Sequence, residues 1–223
     1  MFVKVILGFF MDTPLLVLAA ALGFGLLHSL LASRAAKAWA RRAVGERHAS
    51  GWYRLAFNVL AVVSLLPSLA LVVALPDREL YRIPPPFSIV ALGVQALAVI
   101  GMAYSLFQLD LRHFTGLRQW VGWLNRTAMH AESDTSASRL VVDGLHRFVR
   151  HPLYTCSLVA LWLISPMTVN RLAFAAGATV YFYVGSIFEE RKLVAEFGEA
   201  YRRYQRRVPR LIPRIRSRFT ASS

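Results

Sequence analysis

The sequence predicts an all-α integral membrane bundle of about five transmembrane helices, with a C-terminal helical hairpin and an amphipathic cytoplasmic tail helix. Three observations carry this. Long uncharged apolar runs recur along the 223 residues, of which 56% are hydrophobic. Lysine and arginine collect in alternate loops between those runs, as in multi-pass membrane proteins. Past the last run, Leu193, Phe197, Tyr201, Tyr204 and Val208 fall at steps of four, four, three and four, with Arg202, Arg203, Arg206 and Arg207 on the other side, which draws a basic amphipathic helix suited to an anionic lipid surface. Pro209 ends that helix.

The spans follow from apolar length, since about 20 residues cross a hydrocarbon layer. They are expected near 13–32, 55–75, 87–109, 152–164 and 169–188, the last two forming a hairpin that turns at Ser165-Pro166-Met167-Thr168. Residues 2–10 are also apolar and either lengthen the first span or lie along the interface. Asp12 and Pro14 interrupt the first apolar stretch, so it reads as a retained span rather than a cleaved signal. The chain divides into a three-span region, 1–110, and a region 111–223 that holds a cytoplasmic loop, the hairpin and the tail. Within that loop, 132–138 is rich in Ser, Thr and Asp and reads as loop.

Charge orients the bundle. Arg34, Lys37, Arg41, Arg42, Arg47 and Arg54 crowd the first loop, and Arg112, Arg118, Arg126, Arg139, Arg147 and Arg150 precede the hairpin. Asp77, Arg78, Glu79 and Arg82 nearly balance in the opposite loop. The bias puts the N-terminus outside and the tail in the cytoplasm. A net charge of +14 on such a chain speaks for membrane lipid and against nucleic acid. One cysteine, Cys156, rules out a disulfide framework and reads as a packing residue; no metal-ligand spacing, Walker loop or Rossmann glycine run appears.

The hairpin carries the chemistry. Arg150-His151-Pro152-Leu153-Tyr154 opens it and Glu189-Glu190-Arg191 closes it, 35 residues from Tyr154 to Glu189. An out-and-back path of that length returns to the face it left, so the His/Tyr and Glu/Glu clusters become neighbours. Pro152 suits a first helical turn, and His151 and Tyr154, three apart, share a face. Ionisable groups at the end of a membrane bundle mark a functional site. Taken alone, Arg150, His151 and Tyr154 also fit an interfacial belt. The two carboxylates either pair with Arg191, Lys192 or the arginines before the hairpin, or capture a cationic ligand. His28-Ser29, at the inner end of the first span, fits a polar helix–helix contact or a cavity lining.

These residues, followed by Phe197-Gly198-x-x-Tyr201-x-x-Tyr204 and Val208-Pro209-Arg210-x-Ile212-Pro213, resemble the membrane methyltransferases, which include isoprenylcysteine carboxyl methyltransferase and phospholipid N-methyltransferases. Leu27-His28-Ser29-Leu30-Leu31-Ala32-Ser33 with Lys37 and Trp39, and Phe114-Thr115-Gly116-Leu117-Arg118-Gln119, are similar to the bacterial methanethiol S-methyltransferase group. Where the superfamily commonly has glycine two residues after the tyrosine, this chain has Cys156.

The resemblance implies S-adenosylmethionine as cofactor, no metal, and a bacterial inner-membrane location. It implies transfer to a small thiol such as methanethiol; the alternatives are a prenylcysteine carboxylate or lipid acceptor, a nicotinamide-dependent reductase, or a non-enzymatic accessory protein of the same fold. Through it, Glu189 or Glu190 is expected to take the cofactor's amino group and Arg150 or Arg118 its carboxylate, with His151 and Tyr154 on the ribose or carboxylate. The backbone of 141–145, with Gly144 and Leu145, is expected at the adenine, and Gln119 and Tyr201 are further expected contacts. His151 or Glu190 is the expected acceptor of the thiol's proton.

Overall fold

A computed structural model describes residues 2–108, 111–125 and 140–214, with the side chains of 2–11 and of His113 left out. The expected end of the third span at Leu109, the 132–138 loop, and Arg126 and Arg139 lie outside the described residues. Four helices are long and apolar enough to cross a membrane: α1 (Phe2–Leu31, crossing over Asp12–Leu31), α3 (Glu46–Ala74), α4 (Phe87–Phe107) and α8 (Val169–Phe197). Between and after them come α2 (Arg34–Val44), β1 (Glu79–Tyr81), α5 (Leu111–Thr115), α6 (Leu117–Leu124), a 3-10 turn (Gly144–Arg147), α7 (Pro152–Trp162), β2 (Met167–Thr168) and α9 (Glu199–Arg207). Residues 2–10 continue α1 as one helix.

The expected fourth span is shorter than its apolar run. Its helix, α7, has 11 residues, a rise of about 16 Å, against about 30 Å from Val169 to Glu189 on α8. Residues 163–168, at up to about 3.3 Å each where extended, make up the difference. β2 then pairs antiparallel with β1, and Val169 N–H donates to Arg78 O at 3.0 Å. This ties the loop after α3 and the turn of the hairpin together at one end of the bundle, as the near-neutral charge of both predicts.

Small residues set the helix contacts, as they do where lipid removes the hydrophobic drive between helices. Thr13, Val17, Ala21 and Gly25, at steps of four, are the buried stripe of α1. This stripe meets α8, where a Cβ on Gly177 would sit 2.9 Å from the Ala21 methyl and a Cβ on Gly25 would sit 2.7 Å from Tyr181. On α4, Gly101 faces Cys156 of α7, with 2.8 Å between a Cβ built there and Sγ. The close approach that the superfamily's glycine would allow on α7 is thus obtained from the partner helix. Large apolar side chains point outward instead, Leu26 63% and Val73 86% exposed, as a lipid-facing surface requires. Gly116, at φ +87, presses α5–α6 onto α3; a Cβ there would lie 2.5 Å from Leu55 N.

The tail differs from the single amphipathic helix expected. α8 continues seven residues past Glu190, so Leu193 and Phe197 belong to it, and Gly198, at φ +54, starts α9 on a new axis. Tyr201 and Tyr204 are buried, 1% and 8% exposed, in protein rather than lipid, while Arg202, Arg203, Arg206 and Arg207 are exposed.

Candidate active site

Tyr154 and Glu189 meet at the open end of the hairpin: the phenol donates to Glu189 Oε2 at 2.9 Å. His151, the N-cap residue of α7, stacks on Tyr154 with ring centroids 5.3 Å apart and nearly parallel planes, and Tyr154 stacks on Phe182 at 4.9 Å. The two histidine nitrogens face two carboxylates, Nδ1 3.4 Å from Glu189 Oε2 and Nε2 3.2 Å from Glu190 Oε1. Burial disfavours the imidazolium, but hydrogen bonds and charge from Glu189 and Glu190 outweigh it and lift the His151 pKa above its ordinary value. Both nitrogens are then donors.

Glu190 is saturated. Its Oε1 accepts from Arg150 Nε at 2.7 Å and from His151, and its Oε2 accepts from Gln205 Nε2 at 2.9 Å and Arg210 Nη2 at 3.3 Å. The tail reaches this carboxylate because residues 208–211 run back along the start of α7. Arg150 N–H donates to Pro209 O, His151 N–H to Arg210 O, and Thr155 Oγ1 to Leu211 O. Arg150 Nη1 donates to the carbonyls of Gln205 and Val208. Tyr204 Oη donates to His146 O at 2.6 Å, and burial raises the Tyr204 pKa. His146 itself has a lowered pKa, from burial and then from the charge of His151.

A cavity of about 1260 Å³ opens beside this network. Arg34, Lys37, Arg41 and Arg54 line its basic mouth; Phe24, Phe57, Leu65 and Leu69 line its apolar depth. Of the expected site residues, His151, Tyr154, Glu189 and Arg150 are on its wall. Glu189 is the open carboxylate, its side chain 46% exposed against 5% for Glu190. Glu189 Oε1 has no hydrogen bond among the described residues.

Other expected site residues are not on that wall. Arg118 is exposed on α6, and Gln119 is buried there at 5% exposure. Gly144 packs on Tyr104 and Gln108, and Leu145 lies against Gly101. Tyr201 is buried, its pKa raised by burial and then by the charge of Glu190. Glu190 is also absent from the cavity wall, and its acceptor positions are filled by four donors. His151 faces a carboxylate from each ring nitrogen. Lys192, expected as a pairing partner of the two carboxylates, lines the cavity with Glu189 at i, i+3. Sequence reasoning missed Gln205 and Arg210, which only the returning tail brings near.

Helices of this length and apolarity, with an ionisable cluster at one end of a large cavity, define a multi-pass membrane protein with a candidate ligand site. The chain is 31% identical to a methanethiol S-methyltransferase of Crocosphaera subtropica over 216 residues, covering 91% of this chain and 76% of that protein. A methanethiol S-methyltransferase of Mycobacterium tuberculosis is 34% identical over 194 residues, 85% of this chain and 74% of the other. With methanethiol S-methyltransferase 1 of Bradyrhizobium diazoefficiens the identity is 44% over 84 residues, 38% of this chain, and the match spans 30% of that relative's length. No protein-family model and no solved structure matches the chain. The chain belongs to the membrane methyltransferase family that contains the methanethiol S-methyltransferases.

Proposed function

We propose that this protein transfers a methyl group from S-adenosylmethionine to a small, lipid-soluble thiol such as methanethiol, at the cytoplasmic face of a bacterial inner membrane. The observation that carries this reading is the open carboxylate of Glu189 beside Lys192 on the cavity wall. An amino-acid zwitterion needs an anion and a cation side by side: Glu189 takes the ammonium, and Lys192 the carboxylate in place of Arg118. Tyr154 and His151 fix the Glu189 rotamer through Oε2 and leave Oε1 for the ligand. Glu190 holds Arg150, His151 and the tail in place behind them. When bound, the cofactor supplies an electrophilic methyl on a sulfonium, and the residues around it have only to align the acceptor.

The size of the cavity suits two substrates. Pockets of about 300–1,000 Å³ hold one drug-sized ligand, and this one is larger. A second groove of about 230 Å³, between α1 and α8, shares Leu26, Ser29, Tyr181, Gly185 and Phe188 with the main cavity. It supports entry of an apolar acceptor from lipid while the basic mouth admits the polar cofactor.

The test is calorimetry followed by transfer. Purified protein binds S-adenosylmethionine, and Glu189→Gln and Lys192→Met each weaken that binding. Methyl-labelled cofactor, offered with methanethiol, a prenylcysteine analogue or phosphatidylethanolamine, yields volatile label with methanethiol alone. Absence of cofactor binding by the unaltered chain refutes the reading.

A further inference from the structure

Transfer to a thiol requires that the thiol lose its proton, and the residues expected to receive it are spent. Both ring nitrogens of His151 face carboxylates, at 3.4 and 3.2 Å, and all acceptor positions of Glu190 are filled. Under the reading proposed above, Glu189 is occupied by an ammonium. The proton acceptor is therefore elsewhere on the cavity.

Two further histidines line it: His146, beside the polar cluster, has Nδ1 3.3 Å from Gln108 Oε1, and His28 stands apart from that cluster. His28, on α1, has Nδ1 2.7 Å from the Tyr181 hydroxyl on α8. Its ring lies 4.8 Å from that of Phe57 and 5.8 Å from that of Phe24, and meets Tyr181 edge-on at 5.8 Å. Tyr181 and Glu189 are eight residues apart on one helix, about 12 Å of rise. His28 thus stands at the apolar side of the cavity, deeper than the polar cluster, where an uncharged thiol would settle. An ionisable side chain in such a span marks function by default. No second hydrogen bond of this ring occurs among the described residues.

We propose that His28, oriented by Tyr181, is the general base that receives the thiol proton; this rests on the thiol methyltransferase reading. With Nδ1–H donating to Tyr181 Oη, Nε2 carries the lone pair. The acceptor's S–H bond breaks and its proton goes to Nε2. The electron pair left on that sulfur forms the new S–CH₃ bond. The bond from methyl to sulfonium breaks, its pair stays on the donor sulfur, and the donor leaves as a neutral thioether. The aromatic setting of Phe24 and Phe57 admits an apolar thiol, alkyl or aryl. Tyr181 is a positioning residue.

The test compares His28→Ala and His28→Gln with the unaltered chain, using methanethiol and an aryl thiol acidic enough to be ionised in the assay. S-adenosylmethionine binding by calorimetry stays within about twofold in both variants, and melting in detergent checks the fold. A general base contributes about 10²–10⁴ in rate, so methanethiol turnover falls by at least about 10²-fold. The pre-ionised thiol has no proton to give and keeps a rate near that of the unaltered chain. Tyr181→Phe lowers kcat for methanethiol and leaves KM for S-adenosylmethionine unchanged. Equal losses with both thiols, or full methanethiol turnover in both His28 variants, overturn the proposal. If the unaltered chain binds S-adenosylmethionine but methylates no thiol, the thiol reading itself falls and takes this base with it.

Discussion

Glu189 and Glu190 are adjacent on α8 and face different surroundings. One carboxylate looks into a cavity with a free oxygen; the other is buried under four donors from Arg150, His151, Gln205 and Arg210. Two residues of the same type therefore separate into an open carboxylate facing the cavity and a buried one that ties the tail to α7.

Substitution separates them experimentally. Glu190→Gln removes the charge that compensates buried Arg150 and His151, and breaking such a buried pair costs about 3–5 kcal/mol. Its expected signature is a large drop in melting temperature in detergent. Glu189→Gln, at a half-exposed position, lowers melting by much less than Glu190→Gln and weakens cofactor binding. The reverse pattern would contradict the division.

Stability should depend on pH through His151 with a definite sign. Its folded pKa lies above the ordinary imidazole value near 6.5. The stabilisation is fully present below about 6.5 and is lost as pH rises through the folded pKa. His146, with its pKa lowered, works in the other direction: its share is present above 6.5 and is lost as pH falls toward the folded value. Melting curves across this range should lose their alkaline limb in His151→Gln and their acid limb in His146→Gln.

Gly116→Ala should destabilise the chain by more than about 1 kcal/mol, because φ is +87 and the new methyl would meet the Leu55 backbone at 2.5 Å. Melting of the purified variant checks it.

Tyr204→Phe deletes the bond to His146 O and leaves that part-buried carbonyl short of one partner, a loss of about 1 kcal/mol. It leaves cofactor affinity unchanged in calorimetry, since Tyr204 is off the cavity wall.

The sequence by itself determined the membrane class, the approximate spans and the meeting of Tyr154 with Glu189. Apolar run length and loop charge are local properties, and a hairpin that returns to its starting face leaves its two ends little choice. It did not determine the length of α7, because apolar composition does not distinguish a helix from the turn and short strand, residues 163–168, that follow Trp162. Nor did it determine which glutamate is open. That depends on where α8 ends, and the break is at Gly198 rather than at Phe188, where the apolar run stops. Tyr201 and Tyr204 read as part of an interfacial amphipathic stripe because their burial comes from a chain reversal after α9. Only tertiary structure decided that His28 and Tyr181, 153 residues apart, share one hydrogen bond. Helix contacts between distant segments follow from how small residues such as Gly25, Gly177 and Gly101 let backbones approach, which periodicity alone does not specify.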